Sequence, residues 1–157
     1  MLELLALIVI ANSAPVLARH LCGARFAAPV DGGRLHADGR PLLGRSKTWR
    51  GLVAGVVAST LLAPLLGVAS LLGLATGALA LTGDLFASYA KRRRGHAPSA
   101  QAPLLDSVPE ALLPTLVLRD AFVLDWLDVA LVTAAFHVIV RGASPLLYRL
   151  GLRRRPW

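Results

Sequence analysis

The longest apolar segment of the chain is VASLLGLATGALALTGDLFASYA, Val68–Ala90, and the cations KRRR follow it directly. Its 23 residues carry a single charge, Asp84, and they exceed the roughly 20 apolar residues with which a helix crosses about 30 Å of hydrocarbon. The stretch therefore predicts a transmembrane helix that ends in a positively charged flank.

Four further apolar segments accompany it. The shortest contains Pro64 and spans a membrane only with its flanks included. Another carries Asp106, Glu110 and two prolines, so we expect a kinked or re-entrant helix buried among the others. Glycines recur through the second and third segments, as expected where helices pack closely in lipid. The four segments are Leu2–Leu21, Leu52–Leu66, Leu104–Leu118 and Val123–Val140.

The composition agrees with these segments. Hydrophobic residues make up 55% of the chain and charged residues 17%, and the mean hydropathy is +0.61. These values exclude an ordinary small soluble protein. We expect an all-α integral membrane protein, a bundle of five transmembrane helices with cytoplasmic loops, in one membrane-embedded domain over residues 1–157.

The cations predict the orientation of the bundle. Seven of the 17 lie between the first and second segments, four follow the third, and five lie at or beyond the end of the last, which leaves only Arg119 elsewhere. With five spans, every cation-rich region falls on one side, which the positive-inside rule makes cytoplasmic. We expect a multi-pass protein of the cell membrane with its N-terminus outside and its C-terminus in the cytoplasm. A signal peptide is the alternative for the first segment, but Glu3 stands where a basic region is expected.

The charge also indicates the kind of partner. The net charge is +8, yet the cations flank the membrane and few aromatic residues lie among them. This pattern favours anionic lipid headgroups or nucleotide phosphates and argues against nucleic acid. Cys22 is the only cysteine and the four histidines are scattered, so a cysteine metal site and a Ser/His/Asp nucleophile have no support.

One acid lies near the end of the third segment. A carboxylate such as Asp84 in an apolar segment is costly and usually marks an ion or substrate site. On a helix it shares a face with Ser88, Lys91 and Arg92, at i+4, i+7 and i+8. This face suits a metal-bound polyphosphate, with the carboxylate on the metal and the cations on phosphate oxygens. The alternative is structural pairing of Asp84 with Ser88 or Lys91.

A second pair of acids lies in LLDSVPEALLP, Leu104–Pro114. Because Pro109 disfavours helix at the preceding residue, we expect Glu110 to begin a new helix and Asp106 to cap or precede it. Helix capping is the structural alternative for both acids. Asp84 and Asp106 together would provide two carboxylate ligands, enough for Mg²⁺ that keeps waters and takes its other oxygens from phosphate.

The complementary cations lie in LGRSKTWRGLVAGVV, Leu43–Val57. If the second helix begins near Ser46 or Lys47, then Lys47 and Arg50 share a face and the helix N-terminus offers free N–H groups to an anion. Ser46 or Thr48 could add a hydroxyl. The stretch is not a P-loop, because the required glycine spacing is missing.

Taken in order, these elements resemble the CDP-archaeol synthase family, integral membrane CTP:archaetidate cytidylyltransferases related to the phosphatidate cytidylyltransferases. The resemblance is carried by Asn12 and Pro15 in the first span, PVDGG at Pro29–Gly33, LGRSKTWRG at Leu43–Gly51, GDLFASYAKRRRG at Gly83–Gly95 and LLDSVPEALLP. It implies a five-helix enzyme that transfers CMP from CTP to a lipid monophosphate and releases pyrophosphate, with Mg²⁺ as cofactor.

The resemblance also assigns site residues. The catalytic positions would be Lys47, Arg50, Asp84, Lys91, Arg92 and Asp106, of which Asp84 and Asp106 would hold the metal, and Asp31, Thr48 and Ser88 would contribute to binding. The chain departs from the family pattern in one place. It has Ser107 for a Gln, and Pro109 where the family has a second Asp, with Glu110 one residue further on as a substitute.

The sequence is also compatible with two other functions. A non-catalytic scaffold that binds anionic headgroups would use the basic loops for topology and the acids for structure. A small transporter would use Asp84 as an ion site, but nearly every polar candidate lies on one side of the membrane, whereas transport needs access from both. The sequence leaves open which lipid phosphate is used and whether the protein is a homodimer.

Overall fold

The structure, a computed structural model, describes residues 1–96 and 102–151. Within these residues the chain forms five α-helices, and a short 3₁₀ turn, Ala63–Leu66, extends the second. The predicted all-α membrane bundle of five helices is confirmed. Arg153, Arg154 and Arg155, which contribute to the expected orientation, lie outside the described residues. The helices are α1 Leu2–Cys22, α2 Trp49–Leu62, α3 Ser70–Arg93, α4 Pro103–Val117 and α5 Trp126–Arg149.

Four of the described helices are long and apolar enough to cross a membrane: α1, α2 with its 3₁₀ extension, α3 and α5. α4 has 15 residues, which corresponds to about 22 Å of helix. Large apolar side chains are exposed on all five helices, as expected of a surface that meets lipid rather than water. Examples are Leu21, Leu61, Leu71, Leu104 and Val138.

The helices alternate in direction. The start of α2 lies beside the end of α1, where Arg50 donates to the Gly23 carbonyl, and Lys91 near the end of α3 pairs with Asp106 near the start of α4. Gly67 makes the tight turn between α2 and α3 in the left-handed region, at φ 72°, a conformation that glycine adopts without strain. α3 packs against α1, α2 and α4, and α5 packs mainly on α4. One end of the bundle, where α1 and α3 finish and α2 and α4 begin, carries the segment 23–48. We refer to this end as the loop end.

Small residues allow the helices to approach closely. A Cβ atom at Gly55 would lie 2.6 Å from the carbonyl oxygen of Ala11. That carbonyl has no helical donor because Pro15 lacks an N–H. A Cβ at Gly83 would overlap the carbonyl of Pro109, so α3 and α4 touch backbone to backbone there. The glycines therefore allow close packing, as predicted, where α2 meets α1 and where α3 meets α4.

Two helix boundaries differ from expectation. α4 runs without a break from Pro103 through Pro109, so Glu110 does not begin a new helix. A proline removes one donor and favours a kink, but the packing of α4 against α3 keeps the segment helical. α2 begins at Trp49, not at Ser46 or Lys47, because the Thr48 side chain caps it by accepting from Gly51 N at 3.2 Å.

A charged cluster at the loop end

Lys47 lies just before α2 and reaches across to α3. Its Nζ donates to both carboxylate oxygens of Asp84, at 2.5 and 2.6 Å, and the two side chains are 22% and 19% exposed. Burial alone would lower the pKa of Lys47, but the Asp84 carboxylate more than offsets this effect, so the pKa is raised. The ammonium therefore stays charged. This contact joins the cation-rich stretch before α2 to the acid of α3, which lies 37 residues further along the sequence.

A second pair lies beside the first. Lys91, two turns beyond Asp84 on α3, donates to Asp106 in the first turns of α4. The other oxygen of Asp106 accepts from Ala102 N at 2.9 Å, just before the start of α4. Asp106 thus stabilises the beginning of its own helix and also provides the negative charge that pairs with Lys91. The structure thus brings four of the predicted site residues, Asp84, Asp106, Lys47 and Lys91, together in two ion pairs at the loop end.

Glu110 is a member of the cluster that the predicted site left out. Glu110 is 8% exposed, and its carboxyl group is close enough to that of Asp84 for the two to interact electrostatically. The contact depends on Gly83, where the backbones of α3 and α4 touch. The signal in the sequence was the i, i+4 spacing from Asp106, which places both acids on one face of α4. The charged cluster thus consists of Lys47, Asp84, Lys91, Asp106 and Glu110.

Two more predicted residues border the charged cluster on α3. Ser88 and Arg92 are each 4% exposed. The guanidinium of Arg92 has two buried nitrogens, Nε and Nη1, without a hydrogen-bond partner, and Asp106 is the acid that interacts with it electrostatically. An unpaired buried guanidinium is costly unless an anion meets it. Arg92 is therefore suited to bind an anion such as phosphate.

Arg50 and Thr48 have structural contacts instead. Arg50 donates to the carbonyl oxygens of Gly23 and Arg25, at 3.0 and 2.5 Å, and so links the start of α2 to the end of α1. Because α2 begins at Trp49, Lys47 precedes the helix and does not share a helical face with Arg50. The expected Lys47/Arg50 face is therefore not formed. The Thr48 hydroxyl is occupied as the cap of α2.

Asp31 organises the segment 23–48 from within. One of its oxygens accepts from Gly33 N at 2.9 Å, and the other accepts from Leu43 N and Gly44 N at 2.9 and 3.1 Å. Burial raises the pKa of Asp31, but these backbone hydrogen bonds outweigh it and the pKa is lowered. Asp31 makes its contacts within the loop, and none of them is with the charged cluster.

Arg93 fastens the segment to the end of α3. Its guanidinium donates to Asp38 at 2.7 Å and to the Pro41 carbonyl at 2.8 Å, while Arg40 donates back to the Arg93 carbonyl at 3.2 Å. In the sequence Arg93 is one of four consecutive cations, and the local pattern predicts no partner for it. These contacts hold the loop over the last turn of α3, beside the charged cluster.

The cluster can bind a cation and an anion together. Within residues 1–96 and 102–151, no three His, Cys, Asp or Glu side chains are grouped closely enough to hold a metal on their own. Mg²⁺ needs fewer protein ligands than three, since one or two carboxylates suffice when phosphates supply further oxygens. The donor set of the charged cluster fits that requirement, and Lys47, Lys91 and Arg92 supply positive charge beside it.

The fold and the cluster define a class: a small helical membrane protein with a cluster of paired charges at one end of its bundle. Comparison with a solved structure supports this class. A structure described as an intramembrane enzyme for archaeal membrane lipids biosynthesis superposes with a TM-score of 0.76 at 33% identity, and the match covers 90% of each chain.

Sequence comparisons give the family. A CarS-like, CDP-archaeol synthase family model matches residues 1–76. CDP-archaeol synthases of Hyperthermus butylicus and Aeropyrum pernix are 34% and 38% identical, over 94% and 95% of this chain and 89% and 86% of their own. That of Halobacterium salinarum is 37% identical, over 93% of this chain and 89% of its own. The chain belongs to the CDP-archaeol synthase family. This confirms the predicted class, a membrane CTP-dependent cytidylyltransferase of lipid biosynthesis.

Proposed function

We propose that the protein transfers CMP from CTP to a lipid monophosphate at the loop end, forming a CDP-lipid and pyrophosphate. The observation that carries the proposal is the meeting of two lysine–carboxylate pairs, Lys47–Asp84 and Lys91–Asp106, from three separate parts of the chain. The names of the relatives, CDP-archaeol synthase, favour an ether-linked isoprenoid lipid as the substrate.

The chemistry matches the residues present. A phosphate oxygen of the lipid attacks the α-phosphorus of CTP, and the bond from that phosphorus to the bridging oxygen breaks as pyrophosphate leaves. The lipid phosphate is already an anion at neutral pH, so the step needs positioning and charge neutralisation rather than a strong base. The absence of histidine from the charged cluster is consistent with this requirement.

We assign the roles as follows. Asp84 and Asp106 would hold Mg²⁺, with Glu110 beside Asp84. The metal, when bound, supplies positive charge to the nucleotide phosphates. Lys91 and Arg92 would neutralise the leaving pyrophosphate, and Lys47 would bind the lipid phosphate or a nucleotide phosphate. Arg50, Thr48, Asp31 and Ser88 would support the site through the contacts or burial described above.

We further propose that the loop end faces the cytoplasm, where CTP is available. The described cations support this orientation, because those of residues 23–50 and 91–94 belong to the loop end, whereas Arg119 lies at the other. A lipid phosphate within the inner leaflet would then reach the charged cluster from the side while CTP enters from the water.

The proposal is tested with purified protein in detergent or liposomes, labelled CTP, Mg²⁺ and two lipid phosphates, an isoprenoid diether and a diacyl ester. The expected product is a CDP-lipid, formed faster from the isoprenoid substrate. Asp84→Asn and Asp106→Asn should each lower turnover by at least about 100-fold if these carboxylates hold the metal.

Asp120→Asn is the matched control, because this exposed carboxylate lies at the opposite end of the bundle and pairs only with Arg119 among the described contacts. It should leave turnover unchanged. A protein that forms no CDP-lipid from either substrate, or an Asp106→Asn variant with full activity, would contradict the proposal. The second result is the one expected of a lipid-binding scaffold.

A further inference from the structure

α4 carries two acids of the charged cluster but has an incomplete hydrogen-bond ladder. Pro109 and Pro114 have no N–H, so the carbonyls of Leu105 and Glu110 lack their usual i+4 donors. These are the turns that place Asp106 and Glu110. A helix with such gaps is held less firmly by its own backbone, so its position depends more on contacts with its neighbours.

α5 provides such a contact. The Ser107 hydroxyl shares a hydrogen bond with Nδ1 of His137, at 2.6 Å. Ser107 is 2% exposed and follows Asp106 directly, so adjacent residues of α4 connect it to α5 and to α3. His137 lies in the middle of α5 and is half-buried. A histidine in a membrane-spanning segment is costly and usually has a function.

His137 differs in this respect from a neighbouring polar side chain of the same helix. The Thr133 hydroxyl, one turn earlier, donates to the Val129 carbonyl of α5 itself at 2.8 Å. That bond lies within one helix and does not position α4. The Ser107–His137 bond, by contrast, joins α4 to α5.

We infer that His137 is a positioning residue for the transfer reaction: through Ser107 it holds α4 so that Asp106 faces Lys91 and Glu110 lies beside Asp84. The inference rests on the proposed function. It adds a residue outside the charged cluster, on a helix that contributes no member to it. Groups that orient metal-binding carboxylates typically change metal affinity or activity 10- to 100-fold when they are removed.

The test compares His137→Phe, His137→Asn and Ser107→Ala, with Thr133→Val as the matched control on α5. Two quantities are measured for each variant: kcat and KM for CTP with the lipid phosphate, and Mn²⁺ affinity in the presence of CTP by electron paramagnetic resonance. His137→Phe and Ser107→Ala should each lower kcat and Mn²⁺ affinity about 10-fold or more. Asn can still form a hydrogen bond with Ser107, so His137→Asn should retain most of the kcat and most of the Mn²⁺ affinity. Thr133→Val should match the wild type in both quantities.

A double variant separates positioning from general damage. If the two side chains act only through their mutual bond, Ser107→Ala combined with His137→Phe should be no worse than the more damaging single change. Wild-type behaviour of His137→Phe, equal losses in the Phe and Asn variants, or fully additive losses would each overturn the inference. If His137→Phe does not fold, Ser107→Ala carries the test, because it removes a single oxygen.

Failure of the inference can be told from failure of the proposed function. A wild-type protein that forms no CDP-lipid contradicts the proposed function whatever His137 does. An active wild type with insensitive His137 and Ser107 variants contradicts the inference alone. The Mn²⁺ measurement does not depend on turnover, so it reports on the position of α4 in both cases.

Discussion

At the scale of single residues, the contact between Lys47 and Asp84 joins the loop before α2 to the middle of α3. Asp84 lies nine residues before the end of α3, about 14 Å along the helix axis. A carboxylate at that depth, next to the Glu110 carboxyl, depends on the lysine for compensation. Removing one partner of such a pair leaves an uncompensated charge.

The first prediction concerns this pair. Lys47→Met should destabilise the protein by about 3 kcal/mol, because it leaves two neighbouring acids without their nearest cation. The measurement is thermal or denaturant unfolding in detergent. Combining it with Asp84→Asn should restore part of the loss, since one of the two acids is then neutral. A double variant less stable than Lys47→Met would show that the pair does not compensate in this way.

The second prediction concerns Asp31 and pH. Because the folded pKa of Asp31 lies below its ordinary value near 4, its three backbone hydrogen bonds stabilise the loop fully above that pH, and the stabilisation is lost as pH falls through the lowered pKa. The protection of the Gly33, Leu43 and Gly44 amides, measured as their hydrogen exchange relative to that of an unprotected amide at the same pH, should therefore fall below about pH 4. Asp31→Asn should show low protection at all pH values, because its single carbonyl oxygen cannot replace both oxygens. Protection in the wild type that does not change across this pH range would contradict this role.

At the scale of elements, the crossing of α3 and α4 depends on the absence of a side chain at Gly83. The third prediction is that Gly83→Ala destabilises the protein by about 2 kcal/mol or more and lowers activity, because its Cβ would overlap the Pro109 backbone and separate Asp84 from Glu110. Gly142→Ala in α5 is the control. No atom lies within 4 Å of the Cβ it would add, so stability should stay the same or rise by up to about 1 kcal/mol. Equal effects of the two changes in unfolding experiments would refute the close contact.

The helices themselves were largely predictable, and their boundaries less so. Long apolar runs fix α1, α3 and α5 because the bilayer sets a minimum length. The start of α2 was misplaced because a lysine, two hydroxyl residues and a tryptophan offer several starts, and only the bond from Gly51 N to Thr48 selects one. The continuity of α4 through Pro109 depends on its packing against α3, which the local sequence does not contain.

At the scale of the whole molecule, the number of crossings determines which residues face which side. The fourth prediction is that Cys22, at the loop end, reacts with an impermeant maleimide from the cytoplasmic side in inside-out vesicles and stays unreactive in right-side-out vesicles. In a Cys22→Ser background, Leu65→Cys in the turn after α2 should show the opposite pattern, because Leu65 is exposed at the other end. Labelling of both positions from the same side would contradict the alternation of the helices.

The candidate site was predicted in its parts but not in its pairings. Asp84 and Asp106 stand out because charge in an apolar segment is rare, and that signal is local. The partners of charged residues, by contrast, lie far away in sequence. Lys47 and Asp84 are 37 residues apart, and Asp38 and Arg93 are 55 residues apart. Arg50 was expected beside Lys47, and its actual contacts with Gly23 and Arg25 follow from the path of a long loop, which spacing cannot define.

The order of these pairings along the chain also sets an order of assembly. Lys47 leaves the ribosome well before Asp84, and Asp106 comes later still. The Lys47–Asp84 pair therefore forms only after the third helix has entered the bilayer, and the Lys91–Asp106 pair only after the fourth. An unfinished chain that stops before Pro103 would contain Lys91 without its acid. The charged cluster is therefore completed only after α4 has packed against α3.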